Sequence, residues 1–197
     1  MSNGISRKII LVDAVAIQNG HPFPQRIESA SSGKTAVLQM KDLPDGMALS
    51  FGTPDRISAE IKKRYLLRPD DIIFRSRGQT NTAVILKADF GSTVAAAPLM
   101  TLRVTSNELL PDYLCWWINQ QPAQTHFDRH ARGTYGRMIS RDALEDLEIH
   151  VPPLSVQKQI VELALLGERE QTLLTRLAEA EKRKLHSILI KTASEEK

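Results

Sequence analysis

Val151-Pro152-Pro153-Leu154-Ser155-Val156-Gln157-Lys158-Gln159-Ile160-Val161 divides the chain into two parts with different periodicities. Paired prolines fix φ and remove two backbone donors, so neither a helix interior nor a central strand runs through them. Beyond Pro153 no proline follows, and Ser155 is suited to cap a helix running to Ile190. Such a helix has about 36 residues and a length of roughly 54 Å. Along it Leu163, Leu174 and Leu185 recur every eleven residues, and so do Leu166, Leu177 and Ile188. Eleven residues make nearly three whole turns, so the two series form one straight stripe. Glu168, Arg169, Glu179, Lys182 and Arg183 fall on the other face. A helix this long cannot bury its whole stripe on the preceding domain, so it needs a partner helix, through self-association or docking.

Upstream, short strands alternate with turns. Ile9–Ile17 reads as a strand ending at Asn19-Gly20, and His21–Lys34 as a loop holding Pro22 and Pro24. Ala36–Met40, Ile72–Arg75, Thr82–Leu86 and Leu99–Val104 are further strands. Pro69 sets a turn at Leu66–Asp71, because it fixes its own φ and disfavours a helical Arg68. After Pro111 the period lengthens to about 3.6. Asp112–Gln120 reads as a helix with Tyr113, Trp116 and Trp117 on one face, and Gln124–His130 as a second. Arg132-Gly133-Thr134-Tyr135-Gly136-Arg137 is a glycine-punctuated loop. Ser140 caps a brief helical turn to Leu147, and Glu148–Val151 is a last strand. The expected fold is α+β: a domain of short strands and helices over residues 1–152, then a coiled-coil-like spacer helix over 153–197.

The bulk numbers narrow the function classes. With 197 residues and a net charge of +3, the chain has the composition of a folded protein with a mild basic bias. Its single cysteine, Cys115, excludes an intrachain disulfide and reads as a core thiol in Tyr113–Ile118. No Cys/His set has zinc-ligand spacing. The N-terminus shows no signal-peptide apolar stretch and no run reaches membrane-spanning length, so a cytoplasmic protein is expected.

Several fragments imitate catalytic motifs without their context. Gly33-Lys34-Thr35 lacks the earlier glycine of a phosphate loop, Glu28 standing there instead. Asp89-Phe90-Gly91 has neither a glycine-rich loop nor a catalytic His-Arg-Asp triplet before it. Pro69-Asp70 would need a later acid two residues before a lysine; Glu60-Ile61-Lys62 precedes it and Glu195-Glu196-Lys197 is the frayed C-terminal end, so a turn is expected. Val151-Pro152-Pro153-Leu154 lacks the flanking groups with which a DNA methyltransferase holds its target amine. No Gly-x-Ser-x-Gly elbow occurs. The chain is expected to be non-catalytic and to hold no metal or cofactor.

Charge is distributed unevenly. Lys62, Lys63, Arg64, Arg68, Arg75, Arg77 and Lys87 face only Asp70 and Asp71 in the same segment, a local excess of +5. Arg129, Arg132, Arg137 and Arg141 against Asp128 give a second excess of +3. Arg75, Arg77, Gln79 and Asn81 carry groups that pair with base edges. Arg132, Thr134, Tyr135 and Arg137 lie beside two glycines, in a loop suited to phosphate approach. These eight are the candidate DNA contacts. A solvated charged face is the competing account of the same clusters.

The order of the pieces resembles one repeat of the specificity subunit of type I restriction-modification systems, over nearly the full length. Ala16–Phe23 resembles the family's opening strand and glycine turn. Leu67-Arg68-Pro69-Asp70-Asp71-Ile72-Ile73-Phe74-Arg75-Ser76-Arg77-Gly78 resembles its mid-domain segment. Ala131–Thr134, then Ile139, Leu144, Leu147 and Ile149, lead to Val151-Pro152-Pro153-Leu154 and Gln157-Lys158-Gln159-Ile160-Val161, the most specific succession. Lys158-Gln159 departs from the family's usual Glu-Gln.

The resemblance implies a target-recognition domain reading half of a bipartite site in double-stranded DNA, with paired helices holding two domains apart. It implies that a partner methyltransferase carries S-adenosylmethionine and that this chain carries no cofactor. A usual specificity subunit has two domains and two helices, whereas this chain has one of each. A homodimer with antiparallel helices completes the set, through Leu163, Leu166, Leu174, Leu177, Leu185 and Ile188. A different half-subunit is the alternative partner, and a restriction subunit is a further one. A helix of roughly 54 Å sets the half-sites somewhat more than one duplex turn apart. Two competing functions are a helix-driven scaffold subunit without DNA specificity and a free-standing enzyme.

Overall fold

The computed structural model describes residues 6–30, 32–43, 54–133 and 137–195. It forms two compact units, Met1–Lys158 and Gln159–Lys197, and the architecture is α+β as expected. The strands are β1 (Arg7–Ile10), β2 (Val15–Asn19), β3 (Thr35–Leu38), β4 (Asp55–Ile57), β5 (Ile72–Arg75), β6 (Ala83–Ile85), β7 (Thr93–Ala95), β8 (Leu99–Val104) and β9 (Glu148–Val151). The helices are α1 (Pro111–Ile118), α2 (Gln121–His130), α3 (Arg141–Glu145) and α4 (Leu154–Glu195).

The single strand expected over Ile9–Ile17 is two strands, split by a 3-10 turn at Leu11–Asp13. Their partners differ. β1 pairs antiparallel with β9, Ile9 opposite Ile149, whereas β2 pairs antiparallel with β8, Ile17 opposite Leu102. The buried Leu11 pins the break, its N–H donating to the Leu147 carbonyl at 2.9 Å. Asn19-Gly20 is likewise a crossing rather than a turn. Gly20 N–H still donates to Leu99 at 2.8 Å, while His21 bonds Ala95 at 2.7 Å. A Cβ at Gly20 would lie 2.7 Å from the Ala96 carbonyl carbon, so only glycine passes here.

Described residues form a four-stranded antiparallel sheet, β2-β8-β5-β6, and a three-stranded sheet, β4-β3-β7, in which β3 and β7 run parallel. β5 is central in the first, so Ile72, Ile73 and Phe74 are fully buried on both faces. Phe74 meets Phe127 of α2 at 5.1 Å between ring centroids. β4 and β7, three residues each, fall outside the strands expected from the sequence.

The turn at Pro69 is present, with Asp70 at φ 66°. Asp71, 1% exposed, accepts from Arg68 N–H at 2.8 Å and from Arg103 Nε and Nη2 at 2.7 and 2.6 Å. That fork ties the start of β5 to β8.

α1 starts at Pro111, whose missing N–H costs nothing in a first turn. Its aromatic face holds β9: Tyr113 Oη donates to His150 at 2.6 Å and Trp117 Nε1 to Glu148 at 3.1 Å. Burial pushes the Tyr113 phenol up to about 12. Cys115 is buried, its thiol donating to the Ala83 carbonyl. Ser140 caps α3 by accepting from Ala143 N–H at 3.2 Å.

α4 has 42 residues, roughly 63 Å, and exceeds the expected range at both ends. It begins before Ser155 because the Pro153 carbonyl accepts from Val156 and Gln157 at 2.8 and 3.0 Å. Ser155 therefore lies within the first turn and is not the cap. Gln157 is buried; it donates to Glu108 and Pro152 at 2.8 Å each and accepts from Leu110 at 2.9 Å. The six stripe residues, Leu163, Leu166, Leu174, Leu177, Leu185 and Ile188, are between 51% and 70% exposed.

Candidate nucleic-acid interface

β5 delivers Arg75 and Ser76 to a loop that returns to β6 through Asn81. The Ser76 hydroxyl donates to the Pro98 carbonyl and fixes where the loop leaves the sheet. Gly78 takes φ 134°, a left-handed conformation that disfavours a side chain. Its N–H donates to Arg137 at 3.1 Å, and Ile139 N–H donates to Ser76 at 2.8 Å. These two bonds frame an antiparallel bridge between Arg77 and Met138. A second bridge joins Met138 to Arg132, which exchange N–H to carbonyl bonds at 3.0 and 3.1 Å. Two loops more than fifty residues apart in sequence thus form one backbone-bonded ledge.

The eight candidate contacts divide on this ledge. Arg77, Gln79 and Arg132 are exposed along it. Arg137 is half-buried and ion-pairs with Asp128 of α2. Arg75 is turned inward, Nη2 donating to the Leu43 carbonyl at 2.8 Å. Asn81 is 2% exposed; its Nδ2 donates to the Arg75 carbonyl at 3.1 Å, and its own carbonyl accepts from Gln124 at 3.0 Å. A sequence shows that Asn81 can pair with adenine but not which way the side chain points; here it stiffens the loop from inside. Thr134 and Tyr135 lie outside the described residues.

The larger basic cluster also divides. Lys87 bonds Asp112 and Asp70 at 2.6 and 3.0 Å, away from the ledge. Lys62, Lys63 and Arg64 stay exposed beside Tyr65, with the Arg64 guanidinium 4.9 Å over the Tyr65 ring. Tyr65 lines a groove of about 530 Å³ whose other wall includes Met138, Ser140 and Arg141. The groove therefore connects part of each basic segment. Met138 was missed by residue chemistry, since an apolar residue in an arginine loop reads as core. Its signal was the alternation with Ile139, which is 1% exposed against 45% for Met138.

Among the described residues no three His, Cys, Asp or Glu gather as a metal site. The arrangement offers cations, amides and one apolar side chain on a rigid edge, suited to contact with a polyanion that carries base-edge information.

The family model for the type I restriction modification DNA specificity domain matches residues 11–164. Solved structures share the fold. A chain from work on complex assembly and conformational transition of the type I R-M system aligns with TM-score 0.70 and 19% identity, covering 92% of this chain and 42% of that one. The HsdS subunit from Thermoanaerobacter tengcongensis aligns with TM-score 0.64 and 19% identity, covering 89% and 40%. The type I restriction-modification S subunit from M. genitalium aligns with TM-score 0.60 and 15% identity, covering 89% and 42%. The chain spans about two-fifths of these solved chains. No curated protein matches it.

Proposed function

The chain belongs to the type I restriction modification DNA specificity domain family, and on that premise we propose that it targets a methyltransferase to a bipartite DNA site. Residues 1–152 read one half-site, while residues 153–197 pair and space the readers. Domains of this family are generally non-catalytic. The methyl transfer, and the S-adenosylmethionine it consumes, belong to the partner modification subunit. A restriction subunit is a further partner, and the assembly works on DNA in the cytoplasm. Among the described residues no helix is long and apolar enough to cross a membrane.

The observation that carries the DNA role is the ledge. Backbone bridges through Met138 hold Arg77 and Arg132 on one edge, with Gln79 exposed in the loop beside it; fixed backbone is how base-reading groups keep their register. The internal roles of Arg75 and Asn81 lower their standing as contacts and raise that of these three.

The exposed stripe supports the dimer. Leu163–Ile188, Leu166–Leu185 and Leu174–Leu177 share one midpoint, the Thr175–Arg176 peptide. A second copy running antiparallel presents the same spacing, so the helix is complementary to itself about a two-fold axis. Each α4 N-terminus then lies about 32 Å from that axis at 1.5 Å per residue.

The test is selection from a random duplex pool by this protein with its methyltransferase. An inverted, gapped motif is expected. Arg77→Ala should weaken binding to that motif about tenfold, as for one lost guanine contact, and flatten one position of it. A gapped motif with unlike halves would replace the homodimer by a different half-subunit. A stable complex without enrichment at low salt would leave the scaffold function instead.

A further inference from the structure

We infer that Met138 is a specificity-determining residue that reads the 5-methyl group of a thymine in the major groove; the inference rests on the DNA-targeting function proposed above. Across an antiparallel bridge, directly opposed residues point to the same side, with Cβ atoms about 4.5–5.5 Å apart. Met138 is opposed to Arg77 on one side and to Arg132 on the other. The three side chains therefore stand in one row, Arg77–Met138–Arg132, with Met138 at its centre.

All three are solvent-facing, Met138 at 45%. A lone exposed apolar residue needs no explanation, but this one stands between two cations on a backbone-fixed edge. At about 4.8 Å between strands the outer positions stand about 10 Å apart, about three base-pair steps at about 3.4 Å each. Arginine forks pair with guanine O6 and N7, groups of the major-groove edge. With the outer positions directed there, the central thioether meets the same edge, and the one apolar group a base pair offers there is the thymine methyl. Methionine's flexibility lets it close on that methyl without a fixed pocket. The Ile139 side chain, next in sequence, is buried, which holds Met138 to the outer face.

The experiment uses the full chain with its methyltransferase and the duplex recovered by selection. Each thymine of the half-site is replaced in turn by deoxyuridine, which deletes only the methyl. At one position wild type should bind the uracil duplex about fourfold more weakly, the loss expected for one buried methyl. Met138→Ala should bind both duplexes equally, whereas Met138→Leu, still apolar, should keep the preference. Equal binding of thymine and uracil duplexes by wild type at every position would overturn the inference while leaving the targeting function standing. So would a preference that survives in Met138→Ala, or a half-site without an A·T pair. A selection that yields no motif would overturn both.

Discussion

The unit Met1–Lys158 and the unit Gln159–Lys197 treat apolar side chains in opposite ways. In the first, Ile72, Ile73, Phe74, Leu102 and Leu114 are wholly withdrawn from solvent. In the second, all six stripe residues are more than half exposed. Among the described residues of the first, the strands and α1 pack together and bury the side chains just named for it. The second has the surface of a core cut in half, and burying each leucine in a partner would contribute roughly 1.5–3 kcal/mol. Under the function proposed above, the first unit would do the recognition and the second the spacing.

The widest separation between the units should come from Leu174→Glu with Leu177→Glu. Two charges at the centre of the stripe would be buried without partners on association. Self-association should weaken by more than about a hundredfold by that penalty. The thermal transition of the first unit should remain, followed by near-ultraviolet circular dichroism of Trp116 and Trp117. A variant that still sediments as a dimer would show that the stripe is not the pairing surface.

Asp71→Ala tests the contrast from the other side. Removing the carboxylate strands the Arg103 guanidinium beside a buried cavity and frees the Arg68 amide. Arg103 is one-third exposed, so the loss is that of charge-assisted hydrogen bonds, about 2 kcal/mol. Denaturant unfolding of the first unit should shift by that amount while self-association per folded molecule stays constant. A change in dimer affinity without a change in stability would mean that the two units are not independent.

How far each unit was legible in the sequence follows from the same contrast. The helix was legible because a periodic signal over many turns accumulates, and only its ends differ, Leu154 rather than Ser155 at the start and Glu195 rather than Ile190 at the finish. The fold of the first unit was legible where strands are long or turns carry proline, as at Pro69 and β5. It was not legible where contacts join distant residues. Nothing near Asp71 announces Arg103, and no local pattern shows that β1 and β2 part company at Leu11. For the candidate interface, residue chemistry picked out two loops that the fold joins by backbone bridges, but it could not orient their side chains. Asn81 turned inward, Arg137 found Asp128, and Met138 was passed over.

The finest test lies within the stripe itself. Glu170 is seven residues after Leu163 and four before Leu174, and Glu181 stands likewise between Leu174 and Leu185, so both fall on the apolar face. They also share the midpoint at Thr175–Arg176. In the antiparallel homodimer each Glu170 would therefore approach Glu181 of the other copy, a like-charge contact that opposes pairing. Glu170→Lys converts both symmetry-related contacts into attraction. Dimer affinity should rise by at least about fivefold at low salt, since even exposed ion pairs contribute a few tenths of a kcal/mol each. The gain should fade at 1 M salt, where screening is short-ranged. An unchanged affinity would put the two-fold axis elsewhere on the helix. A weakened one would favour a different half-subunit whose helix offers a cation opposite Glu170.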